Sequence, residues 1–299
     1  MAISTVRVKI NGAWTNLSYN SKTGKYEGTV TAPAATSYNL SGGYYPVTVE
    51  ATNDAGTVTT KDDTDVILGS SLRLVVKEKI KPVITLESPT NGAYIQNNNA
   101  QIVFTVTDEA GGSGVKADRV SLTLDGTEVP LTKTEVTNGY RCTYTPSDPL
   151  DDGQHSISIQ AEDNDGNAAD AVESIFTVDT IPPTLEIQTP TFTITNQPEC
   201  TVTGVTNDAT SSPVTVQMLL NGEDAGTVTV DASGGFTKAL TLSEGINEIE
   251  VISTDGAGRS TQVTLSVELD TTIPEITDIT FEPDTADTSQ SVRITIGVR

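Results

Sequence analysis

The chain has 299 residues and carries 40 acidic against 17 basic side chains, a formal net charge of −23 at pH 7. Nucleic-acid binding needs basic grooves, and docking on anionic lipid needs cationic patches, so this balance excludes both as principal activities. No stretch approaches the ~20 apolar residues of a membrane-crossing helix.

The elements fall into an internal repeat, the feature that sets the architecture before any other. Near the start, Val6, Val8 and Ile10 alternate with polar residues and lead to Asn11-Gly12. Asn-Gly and Asp-Gly favour tight hairpin turns because both positions tolerate positive φ. Gly24-Lys25-Tyr26 then opens a strand, and residues 47–56 read V-T-V-E-A-T-N-D-A-G, a strand ending in an acidic Gly turn with Gly43 four residues upstream. A Thr- and Asp-rich segment, residues 57–71, precedes a closing strand through Leu72, Leu74 and Val76. Its length on a rigid scaffold marks this first module as the place to expect a binding surface.

The second copy is fuller. Strands are expected at residues 83–86 and 102–106, then Val120, Leu122 and Leu124 lead to Asp125-Gly126. Gly139-Tyr140 follows, then residues 157–166 (I-S-I-Q-A-E-D-N-D-G) behind Gly153, and a closing strand over 175–178. The third copy has strands at 185–187 and 200–203; Val216, Met218 and Leu220 before Asn221-Gly222; Gly235-Phe236; residues 249–258 (I-E-V-I-S-T-D-G-A-G) behind Gly245; and Val263, Leu265 and Val267. Residues 276–281 and 292–298 resemble the two opening strands of a further copy.

Period-two alternation gives each strand one buried and one wet face, and two such antiparallel sheets pack as a sandwich. The expected architecture is all-β, with no amphipathic helix. Lys79-Ile-Lys-Pro82, Asp179-Thr-Ile-Pro-Pro183 and Asp270-Thr-Thr-Ile-Pro274 separate the copies. Proline fixes φ and removes a donor, so these are short, stiff junctions. The expected domains are residues 1–80 (a module lacking its first strands), 81–180, 181–271, and a partial module or two-strand tail at 272–299, in an elongated, semi-rigid array. Three accounts of the uneven ends compete: cuts in a longer array, a natural short variant with a cap, or a tail that completes the first module of another copy by strand addition, giving head-to-tail oligomers.

Candidate chemistry is sparse. His155 is the sole histidine, expected to be a surface strand residue. Cys142 and Cys200 lie in different copies within strand patterns and are expected to be buried free thiols. Gly111-Gly112-Ser113-Gly114 reads as an inter-strand loop, since no helix follows it to cradle a phosphate. No nucleophile or metal-protease motif is present, so no catalytic residue is assigned. Asp163, Asp165 and Asp170 sit in an Asp/Asn-rich turn whose oxygens suit calcium; a tight hairpin turn explains the same residues without metal and is preferred. On that preference, chelation should change melting little. Trp14, Tyr44 and Tyr45 belong to an aromatic concentration in the first module that is either packing or a face for stacking on sugar rings.

Asp108-Glu-Ala-Gly-Gly-Ser-Gly-Val115, Leu124-Asp-Gly126, residues 161–167 (A-E-D-N-D-G-N) and Asp179-Thr-Ile-Pro-Pro183 resemble the bacterial Ig-like modules. The resemblance is good over the second and third copies and partial over the first. It implies tandem Ig-like sandwiches, as found in surface adhesins, polysaccharide-active enzymes and phage tail or baseplate proteins, with no catalytic residues to carry over. The opening Met1-Ala-Ile-Ser-Thr-Val has no signal-peptide character, and the combination of no signal, no anchor and residues 1–12 leading straight into a strand is similar to prophage-encoded virion proteins. The expected function is therefore a non-catalytic rod or host-attachment component of a phage tail, a virion protein released by lysis. Its expected partners are other virion or surface proteins, its own copies, or a cell-surface glycan. The alternatives are a surface-adhesin stalk and an accessory carbohydrate-binding region of a larger enzyme.

Overall fold

Alternating Val, Ile and Leu with Thr, Ser and Glu leaves little choice but strand. The computed structural model describes residues 2–299. Among them no α-helix occurs, and the only helical turns are two 3-10 turns, Gly69–Ser71 and Ala117–Arg119. Two compact units divide the described chain, one ending at Val178 and the other starting at Asp179.

The first unit begins with β1 (Ile3–Ile10), β2 (Ala13–Asn20), β3 (Lys25–Glu27), β4 (Tyr45–Asn53), β5 (Val58–Lys61) and β6 (Arg73–Leu74). They form one sheet in the order β3-β2-β1-β4-β5, with β6 also paired to β4. The β1–β2 turn has Asn11 at φ 47° and Gly12 at φ 83°, the doubly left-handed backbone that only such a pair adopts cheaply. Asp125-Gly126 and Asn221-Gly222 repeat it. The segment expected as a long loop, residues 57–71, instead contains β5 and the Gly69–Ser71 turn. Its Val58–Lys61 run pairs with the edge of β4 through Thr52, Ala51, Glu50 and Val49.

A sandwich is not formed here. Val6, Val8 and Ile10 face Leu17, Ala51, Val49 and Val47 across the strands. With no second sheet over this face, the valines and Ile10 stay half-buried, and Tyr45 is the one buried hydrophobic residue among the described residues before β7.

The rest of the first unit does form one. It comprises β7 (Val83–Ser88), β8 (Ala93–Ile95), β9 (Ile102–Thr107), β10 (Ser121–Leu124), β11 (Thr127–Glu128), β12 (Thr132–Val136), β13 (Gly139–Tyr144), β14 (Gly153–Gln160) and β15 (Val172–Val178). The sheets run β11-β10-β14-β15-β8 and β12-β13-β9-β7. Ile102, Phe104, Val106 and Cys142 from one meet Leu122, Leu124, Ile157, Ile159, Phe176 and Val178 from the other. Each such side chain contributes about 1.5–3 kcal/mol by leaving water.

The second unit repeats the plan with β16 (Thr184–Thr189), β17 (Ile194–Thr195), β18 (Glu199–Asn207), β19 (Thr215–Leu220), β20 (Glu223–Asp224), β21 (Gly235–Thr241), β22 (Gly245–Thr254) and β23 (Ser260–Leu269). Its sheets are β16-β18-β21 and β17-β23-β22-β19-β20. Cys200, Val202, Phe236 and Leu240 pack on Met218, Ile249, Val251, Val267 and Leu269. Gly204 lets β18 lie close to β16 and Phe236, since a Cβ there would meet Glu186 O and the Phe236 ring at 2.5 Å. Both cysteines are free and buried, as their strand positions imply. The parallel strands β8 and β17 are not legible in the sequence, because runs of three and two residues cannot display a period of two. β24 (Ile276–Glu282) and β25 (Arg293–Val298) form a separate hairpin in which Ile279, Phe281, Ile294 and Ile296 are more than half exposed.

Candidate functional site

The aromatic residues do not assemble into a stacking platform. Trp14 on β2 is 38% exposed, with the Arg7 guanidinium 4.3 Å and the Lys9 ammonium 5.3 Å from its ring. The Tyr44 hydroxyl donates to Asp63 Oδ2 at 3.0 Å and its ring lies 4.7 Å from the Arg73 guanidinium. Tyr45 points inward, and its hydroxyl donates to Ala35 O at 3.1 Å. Of the three candidates, Trp14 and Tyr44 remain reachable, each already paired with a cation.

His155 is on a strand, as expected, but it is not at the surface. It shares parity with Ile157 and Ile159 on β14, so it faces inward and is buried. Its Nδ1 lies 2.7 Å from Asp125 Oδ2 and its Nε2 2.9 Å from Asp151 O, and its ring stacks on Phe176 at 5.4 Å. Both partners accept, which suits the doubly protonated ring. Burial works against the charged ring, but the Asp125 bond and charge outweigh it, and the His155 pKa is raised above its ordinary value. Burial likewise opposes the Asp125 carboxylate, yet the bonds from His155 and Ser156 leave its pKa lowered. Counted from the preceding glycine, Asn247 occupies the same place in the second unit and bonds Asn221, the residue that corresponds to Asp125. The sole histidine is therefore a bracket between the Asp125 turn and β14, and the adjacent Ser156 hydroxyl donates to the same Asp125 carboxylate at 3.3 Å.

Residues 163–167 form the preferred tight turn, Asp163 N donating to Asn167 O at 3.1 Å and Asn167 N to Asp163 Oδ1 at 2.8 Å, while the three candidate acids do not converge. Asp170 is an exposed partner of Lys81 at 2.6 Å. Asp165 accepts from Thr36 Oγ1 at 2.5 Å and Glu78 N at 3.0 Å, fastening the first module's end to the turn. Asp163 alone turns inward, and it meets two carboxylates not on the sequence shortlist, Glu78 and Asp108. A carboxylate oxygen from each lies within 4.8 Å of the others. Asp163 is fully buried and Asp108 is 6% exposed. The Gly111–Gly114 loop closes over them: Ser113 N donates to Glu78, and Gly114 N donates to Asp108 Oδ2 at 2.7 Å. Burial, with the charges of Glu78, Asp163 and Asp165, pushes the Asp108 pKa up despite the Gly114 bond.

The second unit contains the same arrangement. Asp179, Asp208 and Asp255 bring carboxylate oxygens within 4.8 Å of one another, and all three are buried. Ser211 Oγ donates to Asp179, and Ser211 N donates to Asp208 Oδ1 at 2.7 Å. Arg259 N donates to Asp255 Oδ1 at 2.8 Å. Four carboxylate oxygens in and beside the two trios are buried with no hydrogen-bond partner among the described residues: Glu78 Oε2, Asp108 Oδ1, Glu109 Oε2 and Asp255 Oδ2.

Residues 82–159 match the model of a bacterial Ig domain, and residues 183–271 match that of glucodextranase domain B. The chain contains Ig-like modules in tandem. Among solved structures it is similar to the fibronectin(III)-like modules of Clostridium thermocellum CbhA, at 20% identity and a TM-score of 0.41, covering 62% of this chain and 94% of that one. A tetra-tandem repeat from the extending region of a large adhesion protein aligns at 18% identity and a TM-score of 0.35, covering 98% and 79% of the two chains. Sidekick-1 immunoglobulin domains 1–4 align at 14% identity and a TM-score of 0.35, over 90% and 68%. These likenesses concern fold alone. No curated protein matches the chain.

Proposed function

We propose that this array is a non-catalytic spacer and attachment component of a phage tail or baseplate, holding and presenting other parts rather than transforming a substrate. The observation that carries the non-catalytic part is how the reactive groups are used. His155 is bound between Asp125 and Asp151, and both thiols are sealed in cores. The concavity edged by Asp118, Arg119, Ser121, Glu128, Gln160 and Glu162 is an open depression that contains neither the histidine nor a cysteine. Reiterated two-layer modules joined by prolines suit a load-bearing or presenting role, and a bacterial surface adhesin would use them in the same way.

The match of residues 183–271 to glucodextranase domain B favours a second reading, an accessory region of a polysaccharide-active enzyme. One pair of measurements separates the two. An antibody against the chain should label assembled particles or cell surfaces in electron micrographs, while a glycan array stays blank. Glycan binding that disappears in Trp14→Ala, with no particle or surface labelling, would overturn the first reading in favour of the second.

A further inference from the structure

We propose that the second and third modules each hold a calcium-class divalent cation in a buried carboxylate trio, Glu78–Asp108–Asp163 in one and Asp179–Asp208–Asp255 in the other. The two trios are built from equivalent places. Glu78 and Asp179 each stand four residues before the proline that precedes the module's first strand, Pro82 and Pro183. Asp108 and Asp208 each follow directly on the second long strand, β9 and β18. Asp163 and Asp255 each occupy the acidic Gly turn that follows β14 and β22. Two modules of different sequence thus gather three acids at one end in one way.

Electrostatics asks for a counter-charge there. Two unit charges about 4 Å apart repel by ~4 kcal/mol even at an effective dielectric near 20, and a buried carboxylate oxygen without a partner adds a desolvation cost. Asp108 Oδ1 and Asp255 Oδ2, each on a side chain only 6% exposed, are such oxygens, one in each trio. Two of the lysines flanking Glu78 are engaged elsewhere: Lys77 Nζ donates to Asp165 O at 2.8 Å and Lys81 pairs with Asp170. Near the second, Arg259 Nε donates to the Asp179 carbonyl at 3.1 Å. Calcium takes six to eight oxygens at about 2.3–2.6 Å, so oxygens sharing one ion lie no more than about 5 Å apart, and the 4.8 Å clusters fit. An all-oxygen donor set disfavours zinc.

The ion would tie the segment entering each module to two loops at that module's end. On this proposal chelation lowers melting, opposite to the expectation from the sequence. The test uses the full chain, stripped with EDTA and dialysed, then titrated calorimetrically with CaCl2 and melted with and without it. Two calcium ions per chain are expected, with melting raised by about 10–20 °C at calcium a hundredfold above the dissociation constant. Asp108→Asn and Asp255→Asn should each remove one ion. In EDTA each variant should melt no lower than the parent, because a repulsion has been relieved; a misfolded variant would melt lower. No calcium uptake, melting unmoved by calcium, or unchanged stoichiometry in both variants would overturn the proposal. Loss of binding in one variant alone overturns it for the other module.

Discussion

His155→Asn places in the second module the solution that the third already uses, and it isolates one charged bond. In the parent, the ring's Nδ1 lies 2.7 Å from Asp125 and its Nε2 2.9 Å from Asp151 O. A buried charge-assisted hydrogen bond contributes roughly 1.5–3 kcal/mol, but the Asp125 side chain is 48% exposed, so solvent screening reduces this to about 1 kcal/mol. For a module of this size that corresponds to a melting shift of about 4–8 °C. The sign follows from linkage. The raised His155 contributes stability that is fully present below the ordinary histidine value of about 6.5 and is lost as pH rises through its folded value. The lowered Asp125 contributes stability present above the ordinary aspartate value of about 3.9 and lost as pH falls through its folded value. The parent should therefore exceed the variant most near pH 5, with the gap closing at alkaline pH. Urea unfolding of both proteins from pH 4 to 9 measures it, and taking the difference cancels titrations common to both. A gap independent of pH, or one that widens above neutrality, would refute the assignment of a charged bracket.

Phe104→Ala should cost about 3–5 kcal/mol, because the ring is fully buried between the two sheets of the second module. The core of residues 200–269 shares no side chain with it, so calorimetry should show one transition falling while another holds; equal loss in both would contradict separate cores. Burial pushes the Cys142 thiol up to about 11, against a smaller opposite effect of Lys133, and burial also raises Cys200. Ellman's reagent at pH 8 should find no reactive thiol in the native chain and two in denaturant. Fast native reaction would show that the strands open far more readily than their packing implies.

Much of the fold was legible because it is local. Val120, Leu122 and Leu124 before Asp125-Gly126 specify a strand and its turn within a few residues, and the third copy repeats the message with Val216, Met218 and Leu220 before Asn221-Gly222. His155 could have been placed by the same rule: its parity with Ile157 and Ile159 was in the sequence, and only the habit of reading histidine as polar hid it. The carboxylate sites could not be read this way. Asp163 sits in an acidic run that draws attention, yet Asp165 and Asp170 beside it turn toward Thr36 and Lys81. Its true neighbours, Glu78 and Asp108, come from other loops.

The sequence by itself determined an all-β chain of repeated two-layer units, their strands, their left-handed hairpin turns and the burial of both cysteines, since each depends on side-chain alternation or on the φ preference of one or two residues. Tertiary structure alone decided that the first module is a single sheet with a half-covered apolar face, that short parallel strands extend two others, and that three distant acids converge at the end of each sandwich. Those outcomes depend on which loops meet once the sheets have packed, and no periodicity along the chain encodes that meeting.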